Sequence, residues 1–360
     1  MKPLRLGFIG GGINSAVGRA HYAACRMDGK FEVVAGCFSR DEETNRETAR
    51  AFNCAPICTV YGLAANEIDA AIILTPTPNH YVDAGVMLAR GTPVICEKAL
   101  TSTSEEAGSL IATRDKYNGF LAVTYNYTGY LMVRELRDMV LSGELGEIIS
   151  IQAEMPQEGY LRTSANPQDW RKQDGEIPSV YLDLGTHLHH LIHYVTDDRP
   201  KALVAHQQSR GQFGVVDDVQ CIAEYHSGFT ASLWFGKTAI GHRNGLRIRI
   251  NGTKASAEWV QAGPEELAVS FADGHRSIMD RASPECVIAQ TDRYQRFKAG
   301  HPAGFIEAYA NLYYDLAEWL HAHHACARAT RMYSAEIAYE GLLMMEAMVK
   351  SAQEKTWVTM

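Results

Sequence analysis

The sequence predicts an α/β protein of two domains: a doubly wound parallel sheet, then an α+β domain built on a mostly antiparallel sheet. Three observations lead there. The 360 residues exceed one typical core and suit two domains of roughly 100 to 200 residues. Up to residue 124, short apolar runs rich in Val, Ile and Ala alternate with amphipathic stretches, the pattern of buried parallel strands covered by helices on both faces. From about residue 147 the runs follow one another with turn residues between them and little helix, which indicates antiparallel pairing.

In order, the expected strands of the first domain are 4–9, 31–38, 69–74, 93–97 and 119–124, with helices near 14–28, 41–53, 79–90 and 103–117. The second domain contributes strands at 147–155, 202–209, 217–225, 229–236, 245–251 and 255–260, with one helical stretch near 179–196. Two long helical patterns, 303–326 and 333–352, close the chain, and the Met/Leu stripe of the second is read as a packing face. The boundary is expected at 127/128, giving a dinucleotide-binding domain over 1–127 and a substrate-binding and oligomerisation domain over 128–360. The closing helices are expected to pack back on the first domain.

Composition narrows the function. With 46% hydrophobic and 21% charged residues and no apolar run near the ~20 residues of a membrane helix, no membrane association is expected. The first residues enter a strand pattern directly, without the features of a signal peptide, so the expected compartment is the cytoplasm. A net charge of −8 without a long basic run gives no support for a nucleic-acid partner. The eight cysteines (Cys25, Cys37, Cys54, Cys58, Cys96, Cys221, Cys286, Cys326) are scattered and read as reduced, mostly buried thiols. Cys54 and Cys58 have no second pair at ligand spacing, so no metal is expected there.

The first strand runs into Gly10-Gly11-Gly12-Ile13-Asn14-Ser15 and a helix. In a dinucleotide-binding turn the first glycine permits the tight turn and the second lets a pyrophosphate approach backbone N–H groups at the helix N-terminus. Gly10 and Gly12 fit those places, with Ile13 and Asn14 beside them. The third glycine, which serves close packing of the helix, is replaced by Ser15, and Gly18 is a candidate for that approach one turn later. The second strand ends Phe38-Ser39-Arg40, without the acidic residue that binds ribose hydroxyls in NAD enzymes. Ser39 with Arg40 suits a 2′-phosphate, a slight lean to NADP over NAD.

Two further segments follow strands of the same sheet: TPTPNH (75–80) after the run ending at residue 74, and Glu97-Lys98 after the next. Ligands of open parallel sheets bind outside the carboxyl ends of the strands. In the stretch 179–196, SVYLDLGTHLHHLIHYVT, Asp183, His187 and His190 share one face at helical spacing. A carboxylate beside an imidazole suits general acid–base work, while His189 and His193 fit core-edge histidines and the whole cluster also fits a metal site.

GFIGGG, TPTPNHYVDAGVMLARGTPVICEKAL, YNYTGY, DLGTH and GHPAGFIEAYANLYYDLAEWL together resemble the Gfo/Idh/MocA family of NAD(P)-dependent oxidoreductases, whose N-terminal domain is a Rossmann fold. The last segment is similar to the branch acting on cyclic sugars and their derivatives. The resemblance implies that Glu97-Lys98-Ala99 stands for the family's Glu-Lys-Pro, with Ala99 a departure that loosens the loop and keeps the amine. It implies a catalytic set of Lys98, Asp183 and His187. It also implies that Thr75, Pro76, Asn79, His80, Glu97 and Asn126 line the cofactor, that Trp170 and Arg171 approach cofactor and substrate, and that Tyr127, His190 and His301 meet sugar hydroxyls. A homodimer or homotetramer and a sugar or cyclitol substrate are expected on the same ground. Three other readings stand beside the dehydrogenase: a glycoside hydrolase that retains its nicotinamide, a dinucleotide sensor without turnover, and a metal-dependent enzyme built on the histidines.

Overall fold

The computed structural model describes residues 2–322 and 332–360, and the chain divides into two compact units. Unit 1 comprises residues 1–129 and 305–339, and unit 2 comprises 130–304 and 340–360. The boundary therefore falls at 129/130, and residues 305–339 join the first unit. Cys326 and the end of the 303–326 helical reading lie outside the described residues.

Unit 1 alternates as expected: β1 (Leu4–Gly10), α1 (Ala16–Met27), β2 (Phe31–Cys37), α2 (Glu42–Ala51), β3 (Ala55–Pro56), α3 (Val60–Ala64), β4 (Ala70–Leu74), α4 (Thr77–Ala89), β5 (Val94–Glu97), α5 (Ser104–Lys116) and β6 (Leu121–Thr124). The six strands are parallel in the order β3-β2-β1-β4-β5-β6. The order reverses beside β1, which places the switch point of the sheet where β1 and β4 end. β4 and β5 are buried throughout, as strands covered on both faces must be. Polar side chains cap the helices: Ser15, Asp41, Thr59 and Thr103 each accept a backbone N–H of the first turn. β3 and α3 are too short to show in an apolar pattern. A later helix, α8 (Phe305–His321), packs Tyr309, Leu312, Tyr313 and Leu316 into the core formed by Leu6, Phe8, Phe31 and Ile72.

Unit 2 opens with α6 (Leu131–Leu141), absent from the sequence reading although Leu131, Val133, Leu136 and Met139 are buried and Gly143, at φ +77°, follows its end. After β7 (Ile148–Pro156) comes a π-helical turn, Tyr181–Gly185, running into α7 (Thr186–Thr196). Then follow β8 (Pro200–Gln208), β9 (Asp218–Tyr225), β10 (Thr230–Gly236), β11 (Arg247–Gly252), β12 (Ala255–Val260), β13 (Leu267–Phe271) and β14 (Arg276–Met279). A last helix, α9 (Ala335–Glu354), and β15 (Val358–Thr359) end the chain. The nine-stranded sheet runs β14-β13-β12-β11-β7-β10-β9-β8-β15, antiparallel except for the parallel pair β7 and β10. β9 alternates strictly, with Gln220, Ile222 and Glu224 on its open face.

Candidate functional site

The turn after β1 differs in detail from the sequence reading. Gly10 and Gly11, not Gly12, hold the left-handed conformation, at φ +76° and +69°. A Cβ on Gly10 would meet the Thr75 backbone nitrogen at 2.7 Å, and a Cβ on Gly18 would meet the Gly11 carbonyl oxygen at 2.0 Å. Gly18 thus occupies the close-packing place that Ser15 cannot, while the Ser15 hydroxyl caps α1 by accepting the Gly18 N–H at 3.1 Å. The reason is length: residues 12–15 extend the turn and delay the helix to Ala16. A Cβ on Gly12 would meet Phe38 and Thr48 only at ordinary distances, and the Ile13 N–H donates to the Thr48 hydroxyl at 3.0 Å. Asn14 is exposed.

Around the carboxyl ends of the strands, Ser39 accepts the Asp41 N–H in a local turn, and Arg40 is exposed. Thr75 donates its hydroxyl to Asp83 at 2.8 Å, and Pro76 and Asn79 are exposed at the head of α4. The His80 side chain lies on the inner side of α4. Its ring is 1% exposed and bridges the carbonyls of Ala99 (2.8 Å) and Thr75 (2.7 Å), because α4 directs it inward. Burial outweighs these hydrogen bonds and holds its pKa below the ordinary value. Asn126 and Tyr127 lie in the 3-10 turn after β6, both buried. The Asn126 side-chain nitrogen is buried without a hydrogen-bond partner. An unpaired buried amide together with a turn that only glycines can make fits a polar dinucleotide.

Lys98 is half-buried after β5, and its peptide to Ala99 is cis. The neighbouring Glu97 is turned inward, where its Oε1 accepts from Thr124 (2.7 Å), His21 (3.1 Å) and Tyr309 (3.1 Å). Burial alone would raise the carboxyl pKa. The His21 hydrogen bond and charge, the charge of Lys98 and the Thr124 hydroxyl outweigh it and keep the pKa below the usual value.

In unit 2, Asp183 lies in the π-helical turn, so α-helical spacing applies to His187 and His190 but not to it. The wider turn accompanies tight packing at Gly185, whose Cβ position is 2.6 Å from Met345 Sδ and 2.9 Å from the Phe235 ring. Asp183 Oδ2 accepts from two cations, Arg171 and, at 2.5 Å, Lys237. Lys237 was not foreseen. It follows β10, has its ammonium 5.1 Å from the Tyr160 ring centre, and is 7% exposed. Arg171 stacks on Trp170, while its carbonyl accepts from Tyr160 and Ser179. His187 and His190 are buried, and His301 is exposed in a separate loop.

His189 and His193 turn instead toward Glu340, at 3.2 and 3.5 Å, where Arg199 also binds at 2.8 Å. Burial alone would raise Glu340; the histidine hydrogen bonds and charges overcome it and push its pKa down to about 2. Among the described residues no group of three or more His, Cys, Asp or Glu side chains is arranged to hold a metal ion, and no helix is long and apolar enough to cross a membrane.

The sheet order and glycine turn of unit 1, and the large mixed sheet of unit 2 with its carboxylate and histidines, fit an NAD-binding oxidoreductase of two-domain type. The chain belongs to the GFO/IDH/MocA family: residues 4–125 match its oxidoreductase NAD-binding Rossmann fold, and residues 133–258 match its C-terminal domain. It is 29% identical to an uncharacterized oxidoreductase of Bacillus subtilis, YfiI, over 99% of this chain and 97% of that one. A levoglucosan dehydrogenase of Pseudarthrobacter phenanthrenivorans is 26% identical over 76% of this chain and 77% of its own length. Among solved structures, an inositol dehydrogenase homolog from Azotobacter vinelandii complexed with NADH and myo-inositol superposes with a TM-score of 0.90 at 29% identity, covering 100% of this chain and 98% of that one.

Proposed function

We propose that this oxidoreductase is a dehydrogenase that oxidises a ring carbinol of a sugar, glycoside or cyclitol. The observation that carries this reading is Asp183, a carboxylate held by two cations in the π-helical turn four residues ahead of His187. Relatives that act on levoglucosan and bind myo-inositol supply the substrate class. When bound, the nicotinamide supplies the hydride acceptor. Gly10, Gly11, Ser39, Arg40, Thr75 and Asn126 are the groups that would hold the dinucleotide, with Arg40 available to a 2′-phosphate. His187 takes the hydroxyl proton, and Asp183 keeps the imidazole oriented. Lys98 donates to the same oxygen and stabilises the charge that develops there. Tyr127, Trp170, Arg171 and His190 complete the polar lining. Self-association through the open face of the nine-stranded sheet belongs to the same reading, and light scattering would test it.

The functional test is absorbance at the reduced-nicotinamide band, with NAD⁺ or NADP⁺ and a panel of inositols, free sugars, glycosides and anhydrosugars. The expected result is reduction by one class of polyol, abolished in Lys98→Ala. Binding of the dinucleotide with no reduction across the panel would overturn the reading.

A further inference from the structure

Glu97 presents a physical problem that its neighbours solve. A carboxylate with 7% exposure is costly to bury unless its lone pairs are met by donors. Here three donors from three elements converge on one oxygen: His21 from α1, Thr124 from β6 and Tyr309 from α8. His21 Nε2–H donates to Glu97, and Nδ1 lies 2.8 Å from the Tyr313 hydroxyl, which can donate to or accept from it, so both ring nitrogens have a partner. Burial and the nearby carboxylate push the Tyr309 phenol well above its ordinary pKa, so it remains a donor. The rings of His21 and Tyr309 also pack at 4.5 Å between centres, which leaves neither free to rotate.

An apolar side chain at position 97 would fill such a place at no cost in desolvation, so stability alone does not account for a buried carboxylate. What distinguishes the position is its neighbour. Glu97 shares a peptide bond with Lys98, and His21 lies on the helix that begins just after the glycine turn. We propose that His21 and Tyr309 are positioning residues for Lys98, fixing through Glu97 the strand end that carries the lysine to the helix behind the glycine turn. This rests on the reading that Lys98 acts on the reacting oxygen. Neither His21 nor Tyr309 touches substrate in this scheme; both act through Glu97.

The test compares Tyr309→Phe, His21→Leu and His21→Gln with Lys98→Ala. Lysines are reductively methylated with ¹³C-formaldehyde, the Lys98 signal being assigned by its loss in Lys98→Arg. Turnover with the polyol found in the panel and NADH binding by fluorescence are measured on the same proteins. Tyr309→Phe is expected to shift or split the Lys98 resonance and to lower kcat by about tenfold, with substrate KM and NADH affinity within about twofold. His21→Leu should do more, and His21→Gln, which restores an N–H donor, should regain part of the loss. Because Tyr309→Phe keeps the ring, it decides the matter if His21→Leu fails to fold. An unmoved Lys98 resonance in folded Tyr309→Phe overturns the proposal. Undiminished turnover in Lys98→Ala instead overturns the reading it rests on, a failure seen in a different protein.

Discussion

Two carboxylates beside proposed reacting groups are held in opposite ways. Glu97, next to Lys98, sits in a dry pocket among His21, Thr124 and Tyr309. Asp183, ahead of His187, is held by Arg171 and Lys237 at a partly open edge, where the Arg171 side chain is 25% exposed. The first arrangement relies on buried hydrogen bonds, which fix geometry and ignore ionic strength. The second relies on charge, which salt screens where it is open to water. Rigidity is thus concentrated on the Lys98 side and adaptability on the Asp183 side.

The largest effect that would sharpen this contrast is expected from Lys98→Ala, about a 10³-fold fall in kcat with NADH affinity retained, measured by steady-state kinetics beside fluorescence titration. Asp183→Asn keeps the shape and removes the charge that binds two cations; a fall of roughly 10²-fold in kcat is expected. Lys237→Met should lower kcat by about tenfold, and Lys237→Arg by less. Salt should depress the wild type more than Lys237→Met, and equal salt dependence of the two would break the comparison.

A pH prediction concerns another carboxylate, the half-buried Glu340. Its pKa is depressed to about 2, so its contribution to stability is present above the ordinary glutamate value of about 4.3 and is lost as pH falls toward 2. Thermal unfolding between those values should therefore fall less steeply in Glu340→Gln than in the wild type. The smallest effect belongs to Arg40→Ala. It should weaken NADP⁺ binding by about fivefold and leave NAD⁺ unchanged if the guanidinium meets a 2′-phosphate.

Much of unit 1 was legible because buried parallel strands leave continuous apolar runs, and β1, β2, β4, β5 and β6 appear close to where the pattern puts them. The glycine turn was legible in place and not in detail, since sequence spacing assumes one turn length and residues 12–15 extend it. Lys237, like Lys98, is a cation just after a strand, but that strand alternates exposed and buried residues in a largely antiparallel sheet, where a cation at a strand end is no signal of a ligand crevice. α6 had both an apolar periodicity and a following Gly143, yet its Tyr130 start lacks a side-chain cap. His21 and Tyr309 had no such signal. They are 288 positions apart, a separation read directly from the numbering, and only the fold brings each to Glu97.

The return of residues 305–339 to unit 1 has a consequence for the order in which the protein is made. When residue 129 leaves the ribosome, the six-stranded sheet has all its strands but lacks Tyr309, Leu312, Tyr313 and Leu316, which complete its core. Glu97 at that moment also lacks one of its three donors, and His21 lacks Tyr313. The first domain by sequence therefore does not close when its own strands are made, but waits through the synthesis of some 175 residues for contacts of long sequence separation. Until then the exposed flank of the nascent sheet is what a chaperone would meet.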